Sequence, residues 1–435
     1  MKSSPAKMRT LPLAMAMFCL VSGGPYGLEP VIGSMGPTLG LILILLIPVI
    51  WAWPVALMTA ELGTAIPEEG GYYIWVRRAL GPFAGFQCAW LSFLYSIVDA
   101  ALYPLLFAGY LSQSMITIFH LQGMNAGWLT SMIAILHILV ITYINIRGVR
   151  EVGMAATLFT FLIILPFGLM CARSGFQPLQ LQPIKADSGT ISVGLATVMW
   201  NYLGWDNLST VSGEVKNPQK SIPKALWFAI PLVTLVYFVP TVSALPTSPN
   251  PEQWTDGSWP AIAARAAGPW VGNLVLLGGL SSASAMFVAQ MLASSRIPAV
   301  LARDGYLTSW LGHTSVRMGT PVRSIVLCAG LYTCLAWFSF SELITVNAIL
   351  YGLAVMLEFA ALYVLRRKEP NLSRPFRIPG GAPICALLAI GPAILVVLLT
   401  WNSVVEEGWR KQIPTLVAIA SGVVVYKLRR NPALS

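Results

Sequence analysis

Ser22-Gly23-Gly24-Pro25-Tyr26-Gly27 breaks an apolar stretch that runs from about Leu11 to Gly33. A second break, Tyr202-Leu203-Gly204-Trp205-Asp206-Asn207, falls inside another apolar stretch, from about Ile191 to Val211. Pro25 removes a backbone donor and stops a helix from running through. Gly23, Gly24 and Gly27 allow backbone angles that other residues resist, and let a solute come close. In lipid a broken backbone strands N–H and C=O groups at a cost of several kcal/mol each, so such breaks persist where they line a protected cavity.

The surrounding composition is that of a membrane protein. Hydrophobic residues make up 56% of the 435 and charged residues 10%, against roughly 25% charged in a soluble domain. Apolar runs long enough to cross a ~30 Å hydrocarbon core recur at about 11–33, 38–64, 84–113, 126–145, 153–172, 189–211, 224–245, 270–297, 322–339, 343–365, 382–402 and 413–428. The expectation is an all-α membrane protein with twelve transmembrane helices, making one transmembrane domain over 1–435. With the N-terminus inside, all of the 27 Lys and Arg except Arg173, Lys185, Arg265, Arg410 and Lys411 fall on the inner side. That asymmetry is the positive-inside pattern. It predicts a multi-pass protein of a plasma or inner membrane, with both termini cytoplasmic. The net charge of +10 is therefore topology, with the bilayer as partner and no nucleic acid.

Other classes are excluded. Met1 to Arg9 followed by apolar residues resembles a signal peptide, but no small-residue cleavage site follows and the segment carries the first break. Cys19, Cys88, Cys171, Cys328, Cys334 and Cys385 show no paired spacing and read as reduced, small apolar side chains. There is no zinc ligand set, P-loop, dinucleotide fingerprint, nucleophile–base pair or soluble ATPase or signalling module. The chain reads as neither enzyme nor receptor, and as needing no cofactor.

Paired broken helices in corresponding halves point to a secondary transporter's binding site. They make spans 1–5 (about 11–172) and 6–10 (about 189–365) structural repeats, with spans 11–12 (about 382–428) added. Five is odd, so the second repeat enters from the opposite side and the repeat is inverted. Pro67-Glu68-Glu69-Gly70-Gly71-Tyr72-Tyr73 reads as a turn leading into an interfacial helix with Arg77-Arg78. The inner loop 298–321 has mixed helical character, and the outer loop 246–269, rich in Pro, Ser and Trp, is expected to cap the outer mouth.

Three stretches resemble the amino acid–polyamine–organocation (APC) superfamily: Ser22 to Glu29, Ala60-Glu61-Leu62-Gly63-Thr64-Ala65-Ile66-Pro67-Glu68-Glu69-Gly70-Gly71-Tyr72, and Gly213-Glu214-Val215-Lys216-Asn217-Pro218. Asp99-Ala100-Ala101-Leu102-Tyr103-Pro104 and Trp205-Asp206-Asn207-Leu208-Ser209-Thr210 are similar to its polyamine-uptake branch, known from plants and trypanosomatid parasites. The resemblance implies the leucine-transporter fold, a 5+5 inverted repeat with discontinuous helices 1 and 6. It also implies proton-coupled import or exchange of amines or amino acids. Some amino-acid members carry a lysine in span 5, whereas Met154 to Leu169 has none; that shifts a proton role onto carboxylates.

The candidate site follows from the breaks. N–H groups opening the second half of span 1, near Ser22, Gly23, Gly24, Tyr26 and Gly27, form a cradle for a carboxylate. Free carbonyls at the second break suit an ammonium, and Trp200, Tyr202 and Trp205 either pack over a cation or gate the site. Ionisable groups inside a span mark pathways or counter-ions. Asp99 is the cleanest, flanked by Ile97-Val98 and Ala100-Ala101-Leu102 with no basic neighbour in sequence, and Tyr103 follows one turn on. In related arginine–agmatine exchangers this part of span 3 faces the substrate. Asp206 and Glu29 each begin a second half-helix and serve either as caps or as partners for an amine or proton; Glu358 in span 10 is either an acid supporting the site from behind or a proton carrier. Glu61 is expected to pair with inner-side basic residues, His137 to lie at the periphery, and Ser281, Ser282 and Ser284 to be packing residues rather than sodium ligands. A proton is favoured over sodium as the coupling ion. The substrate reading is a polyamine or cationic amino acid, the alternative a neutral amino acid permease or an amino acid/amine exchanger.

Overall fold

The computed structural model describes residues 10–68, 70–119, 126–147, 152–175, 177–179, 191–208, 215, 217–303, 305–315 and 320–428. Among these, every regular element is a helix. α1 (Thr10–Val21) stops at the first break, and α2 (Glu29–Ile47) resumes after it. Inside α2 the chain turns at Gly36 (φ 75°, ψ 167°), followed by Pro37. Residues 29–35 thus complete the broken first span, and the second span starts one residue later. A π-helical turn, Pro48–Ala52, carries it into α3 (Trp53–Ala65). Pro48 and Pro54 offer no N–H to an α-helical ladder, which suits the widened turn between them.

The remaining helices are α4 (Tyr72–Leu80), α5 (Pro82–Phe119), α6 (Ala126–Arg147), α7 (Val152–Ser174), α8 (Ile191–Asn201), α9 (Pro218–Ala244), α10 (Trp259–Ala267), α11 (Pro269–Ser294), α12 (Arg296–Arg303), α13 (Val322–Leu335), α14 (Phe340–Lys368), α15 (Gly381–Glu407) and α16 (Ile413–Leu428). α8 stops at the second break, followed by a 3₁₀ turn, Trp205–Leu208. Residues 209–214 and 216, with Ser209, Thr210, Gly213, Glu214 and Lys216 of the sequence motifs, lie outside the described residues, as does Lys185.

Seven segments are long and apolar enough to cross a membrane unaided: 29–65, 82–117, 126–147, 218–247, 269–303, 340–368 and 381–406; 162–174, 322–335 and 413–428 are shorter apolar helices. α1 and α8, which end at the two breaks, are shorter than this measure requires. α5 runs at the centre against α4, α6, α11, α14 and α16; α1 packs on α9, α2 on α8, and α14 on α15. Large apolar side chains such as Leu136, Leu139, Val397 and Trp401 face outward, which lipid rather than water tolerates.

Two ends of the bundle differ. At the basic end, Glu61 of α3 is fully buried and accepts from Arg366 Nε (2.6 Å) and Ile378 N (2.8 Å), with Arg374 Nε at 3.2 Å. The expected pairing of Glu61 with basic residues is present. Arg78 of α4 bridges to Glu369 at 2.7 Å, and Lys368 Nζ caps Ala79 O. The Arg78 guanidinium holds the Glu369 carboxyl below its usual range. At the other end, residues 245–268 form a cap. The sequence suggested a covering loop; the structure adds a helix there, α10, packed on α11 and α7. His137 is not peripheral: it is buried, stacked on Phe107 at 4.0 Å, with Nε2 3.1 Å from Ser284 Oγ.

Candidate functional site

α5, α8, α11 and α14 each bring polar side chains to one cavity of about 230 Å³, lined by Asp99, Tyr103, Trp200, Asp206, Gln290 and Tyr351 among others. It extends to Tyr72 of α4 and Ile297 of α12, at the basic end. A smaller pocket of about 30 Å³ lies against the first break, with Gly23, Gly24, Tyr26 and Ser282 in its wall. Val21, Tyr103, Trp200 and Met286 line both, so Trp200 and Tyr103 form the partition. Phe340 meets Trp200 edge-on at 5.5 Å.

Asp99 projects from the middle of α5, 9% exposed. Its Oδ1 accepts from Trp200 Nε1 (2.7 Å) and Asn347 Nδ2 (3.2 Å), its Oδ2 from Gln290 Nε2 (2.8 Å). Every donor is neutral. Asp206 follows the same rule: Tyr351 O–H donates to Oδ1 (2.7 Å) and Tyr95 O–H to Oδ2 (3.2 Å), the two rings meeting edge-on at 4.9 Å. No Lys, Arg or His lines the cavity among the described residues. Buried charge is costly unless paired, so two carboxylates without a cation leave the cavity short of positive charge. Glu358 lies behind, 1% exposed, with Oε2 free of any hydrogen bond among the described residues and within electrostatic reach of Asp206.

The two breaks are less open than the sequence suggested. At the first, Gly24 N donates to Ser22 Oγ (3.2 Å), Gly27 N to Tyr110 Oη (3.1 Å) and Leu28 N to Pro25 O (3.2 Å). Its carbonyls are also taken: Ser282 Oγ donates to Gly23 O (2.6 Å) and Trp259 Nε1 to Pro25 O (2.7 Å). At the second, the carbonyls of Met199, Trp200, Asn201 and Gly204 accept from Tyr202 N, Leu203 N, Tyr237 Oη and Asn207 N. Gly204 N points to Tyr351 Oη (3.3 Å). The expectation of free carbonyls there gives way to a break that satisfies much of its own backbone.

The structure brings Asp99, Tyr103, Trp200 and Asp206 together around one cavity and Gly23, Gly24 and Tyr26 around the adjoining pocket. It puts four others elsewhere. Tyr202 is buried, with its O–H on Ile44 O at 2.8 Å. Trp205 is buried in the core and Gly27 packs against Trp200. Glu29 sits beneath the cap, where Tyr110 O–H (2.8 Å) and Trp259 N (3.3 Å) donate to Oε1. Sequence reasoning missed Tyr95, Gln290, Asn347 and Tyr351. Their signal was spacing: Tyr95 and Asp99, and Asn347 and Tyr351, are four residues apart and so share a helix face.

The cap carries its own acid. Asp256 has Oδ1 shielded and without a hydrogen bond among the described residues, and burial pushes its carboxyl up to about 6. Its turn docks on α5: Gln113 Nε2 donates to Asp256 O (2.8 Å), and a Cβ at Gly257 (φ 79°) would lie 2.9 Å from the Gly109 carbonyl carbon.

Comparison with known proteins agrees with this architecture. The family model described as amino acid permease matches residues 9–424. A probable polyamine transporter of Arabidopsis thaliana is 37% identical over 393 residues, 90% of this chain and 78% of the relative. A polyamine transporter of Oryza sativa subsp. japonica is 35% identical over 428 residues, 98% of this chain and 78% of the relative. The human large neutral amino acids transporter small subunit 2 is 28% identical over 402 residues, 86% of this chain and 70% of the relative. The chain therefore belongs to the amino acid permease family, and with its apolar helices is a multi-pass membrane protein.

Proposed function

We propose that this amino acid permease family member carries polyamines across the membrane by alternating access, with a mid-bundle site built around Asp99 and Asp206. One observation carries the reading: two carboxylates share one cavity, their donors are all neutral, and no basic side chain lines it among the described residues. An extended diamine supplies two ammonium groups to two acids, and Tyr103 and Trp200 offer aromatic faces to its cationic ends. The polyamine transporters of Arabidopsis thaliana and Oryza sativa subsp. japonica among the relatives support the same substrate class. The family relationship makes this a transporter rather than an enzyme.

A neutral amino acid is the second reading, favoured by the resemblance to the human large neutral amino acids transporter subunit. It needs free N–H groups at the first break for an α-carboxylate. Gly24 N and Gly27 N already donate to Ser22 and Tyr110, which disfavours it.

The finer architecture belongs to this proposal. It comprises twelve spans in a single domain, spans 1–5 and 6–10 as inverted repeats, broken helices 1 and 6, cytoplasmic termini in a plasma or inner membrane, and import coupled to a proton. The cavity's extension to the basic end, with Trp200 across its other side, suits a conformation facing the cytoplasm. Coupling falls to carboxylates: Asp99 and Asp206 with the amine, Glu358 and Glu29 outside it. The test is uptake of radiolabelled putrescine into proteoliposomes, with competition by spermidine, arginine and leucine. Competition by spermidine supports the reading; competition by leucine alone overturns it.

A further inference from the structure

α5 and α14 each carry a second, apolar face beside the one they turn to the amine cavity. There Leu94, Ile97 and Val98 of α5 and Val346, Ile349 and Leu350 of α14 line a separate cavity of about 500 Å³. Leu331 and Leu335 of α13 and Ala418 of α16 complete its walls. The polar lining is spent within the protein: Gln412 Nε2 donates to Ser403 Oγ (2.6 Å) and Thr345 Oγ1 to Ser341 O (3.3 Å). Ordered water needs two to four polar partners, so these walls suit hydrocarbon instead. The volume is that of a ligand pocket, roughly 300–1,000 Å³. Along α14 the lining runs from Glu342 to Leu350, about 12 Å at the helical rise. The cavity is thus a slot parallel to the helices.

One end of the slot lies at the capped end of the bundle. α14 begins there, because its far end carries Arg366 on Glu61 at the basic end. Phe338 stands in the wall at this level, and it and its sequence neighbour Trp337 are both more than half exposed, as is Trp409. Aromatic side chains of this kind mark the headgroup level of a bilayer. Arg410, also exposed, lines the same end of the slot. Basic residues are scarce here. Of the five that the sequence places at this end, Lys185 lies outside the described residues, and Arg173 and Arg265 are turned onto Ala267 O and Ser248 Oγ. The other two are Arg410 and its sequence neighbour Lys411. Glu342, the acid of this rim, is drawn to the start of α14, where Ser339 N and Oγ donate to its Oε2 (3.0 and 2.9 Å). A guanidinium above an apolar slot, at headgroup level, complements a phosphate that bears an acyl chain.

We propose that this slot is a phospholipid-binding site: one acyl chain lies between α5, α13, α14 and α16, and Arg410 holds the phosphate. The occupant is a lipid of the surrounding bilayer, and the site is distinct from that of the transported solute. The chain lies one helix behind the amine cavity. Tyr95 and Asp99 share their turns of α5 with Leu94, Ile97 and Val98, and Tyr351 follows Leu350 on α14.

The proposal requires only a bilayer around the protein, so it stands or falls apart from the polyamine reading. Full-length protein in detergent is titrated with phosphatidylglycerol, and with diacylglycerol as the chain without a phosphate, and observed by native mass spectrometry. One phosphatidylglycerol is expected to stay bound at detergent concentrations that strip the rest. Arg410→Gln, at an exposed position that leaves the core alone, should weaken it about fivefold. Ala418→Phe and Val346→Phe, which fill the slot from opposite walls, should abolish it in monodisperse protein. Phosphatidylglycerol carrying a diazirine midway along one chain should cross-link to α13 and α14 at residues such as Leu335 and Val346. Diacylglycerol bound as tightly as phosphatidylglycerol, or unchanged binding by Arg410→Gln, overturns the proposal. So does retention of the lipid by either filled variant. Cross-links spread over outward residues such as Leu136 and Val397, with none in the slot, also overturn it, since the lipid is then only part of the surrounding annulus.

Discussion

At the scale of single residues, Asp99 was legible and its partners were not. A lone acid in an apolar helix advertises itself. The neutral donors that hold it, Trp200, Gln290 and Asn347, come from three other helices, and no local pattern pairs residues 101 to 248 positions apart. Replacing Asp99 by Asn removes a charged acceptor while keeping its shape. A charge-assisted hydrogen bond contributes roughly 1.5–3 kcal/mol, so the KM for putrescine should rise about ten- to a hundredfold, read from initial uptake rates. Asp256 gives a stability prediction. Its folded pKa is raised to about 6 from 3.8, so the fold favours the protonated acid. That stabilisation is complete below about pH 4 and lost as pH rises through 6; two pKa units correspond to about 3 kcal/mol at most. Asp256→Asn should therefore melt higher than wild type at pH 7.5, and the gap should close by pH 4, measured by thermal unfolding in detergent.

At the scale of elements, the breaks were legible because Gly and Pro cluster inside apolar runs. What the breaks offer was misjudged. Sequence shows which N–H and C=O groups leave the helix ladder, but not which side chains fold back on them. Ser22, Tyr110, Ser282 and Trp259 close the first break, and three of the four come from distant parts of the chain. The polar faces were there to be read: Tyr95, Asp99 and Tyr103 along α5, Gln290 and Ser294 along α11, and Asn347, Tyr351 and Glu358 along α14 repeat at helical spacing. The cap is the most easily dislodged element. Gly257→Ala places a methyl against the Gly109 backbone at a positive φ, a strain of about 1–3 kcal/mol. It should lower the melting temperature, measured by thermal unfolding in detergent.

At the scale of the whole molecule, the charge distribution predicts a topology. Lys220 lies at the start of α9 and Thr255 in the cap, and both are exposed. In a cysteine-free background, Thr255→Cys should react with impermeant maleimide on intact cells, and Lys220→Cys only after permeabilisation; the reverse pattern inverts the assigned orientation. The basic end is fastened by Glu61, buried between Arg366 and Arg374. Glu61→Gln leaves two guanidinium groups facing a neutral amide. Breaking a buried ion pair on one side costs about 3–5 kcal/mol, which should appear as a sharp fall in melting temperature and in recovered monodisperse protein. Partners more than three hundred residues apart were foreseeable in kind, since a buried acid near a basic loop needs a cation, but not in identity.

The joint at Gly36 has one more effect. Residues 29–35 and the helix beginning at Pro37 are separated by a single residue with no slack. The short rod that bears Glu29 and the long arm of residues 37–65 therefore share one pivot, and the far end of that arm holds Glu61 and its arginines.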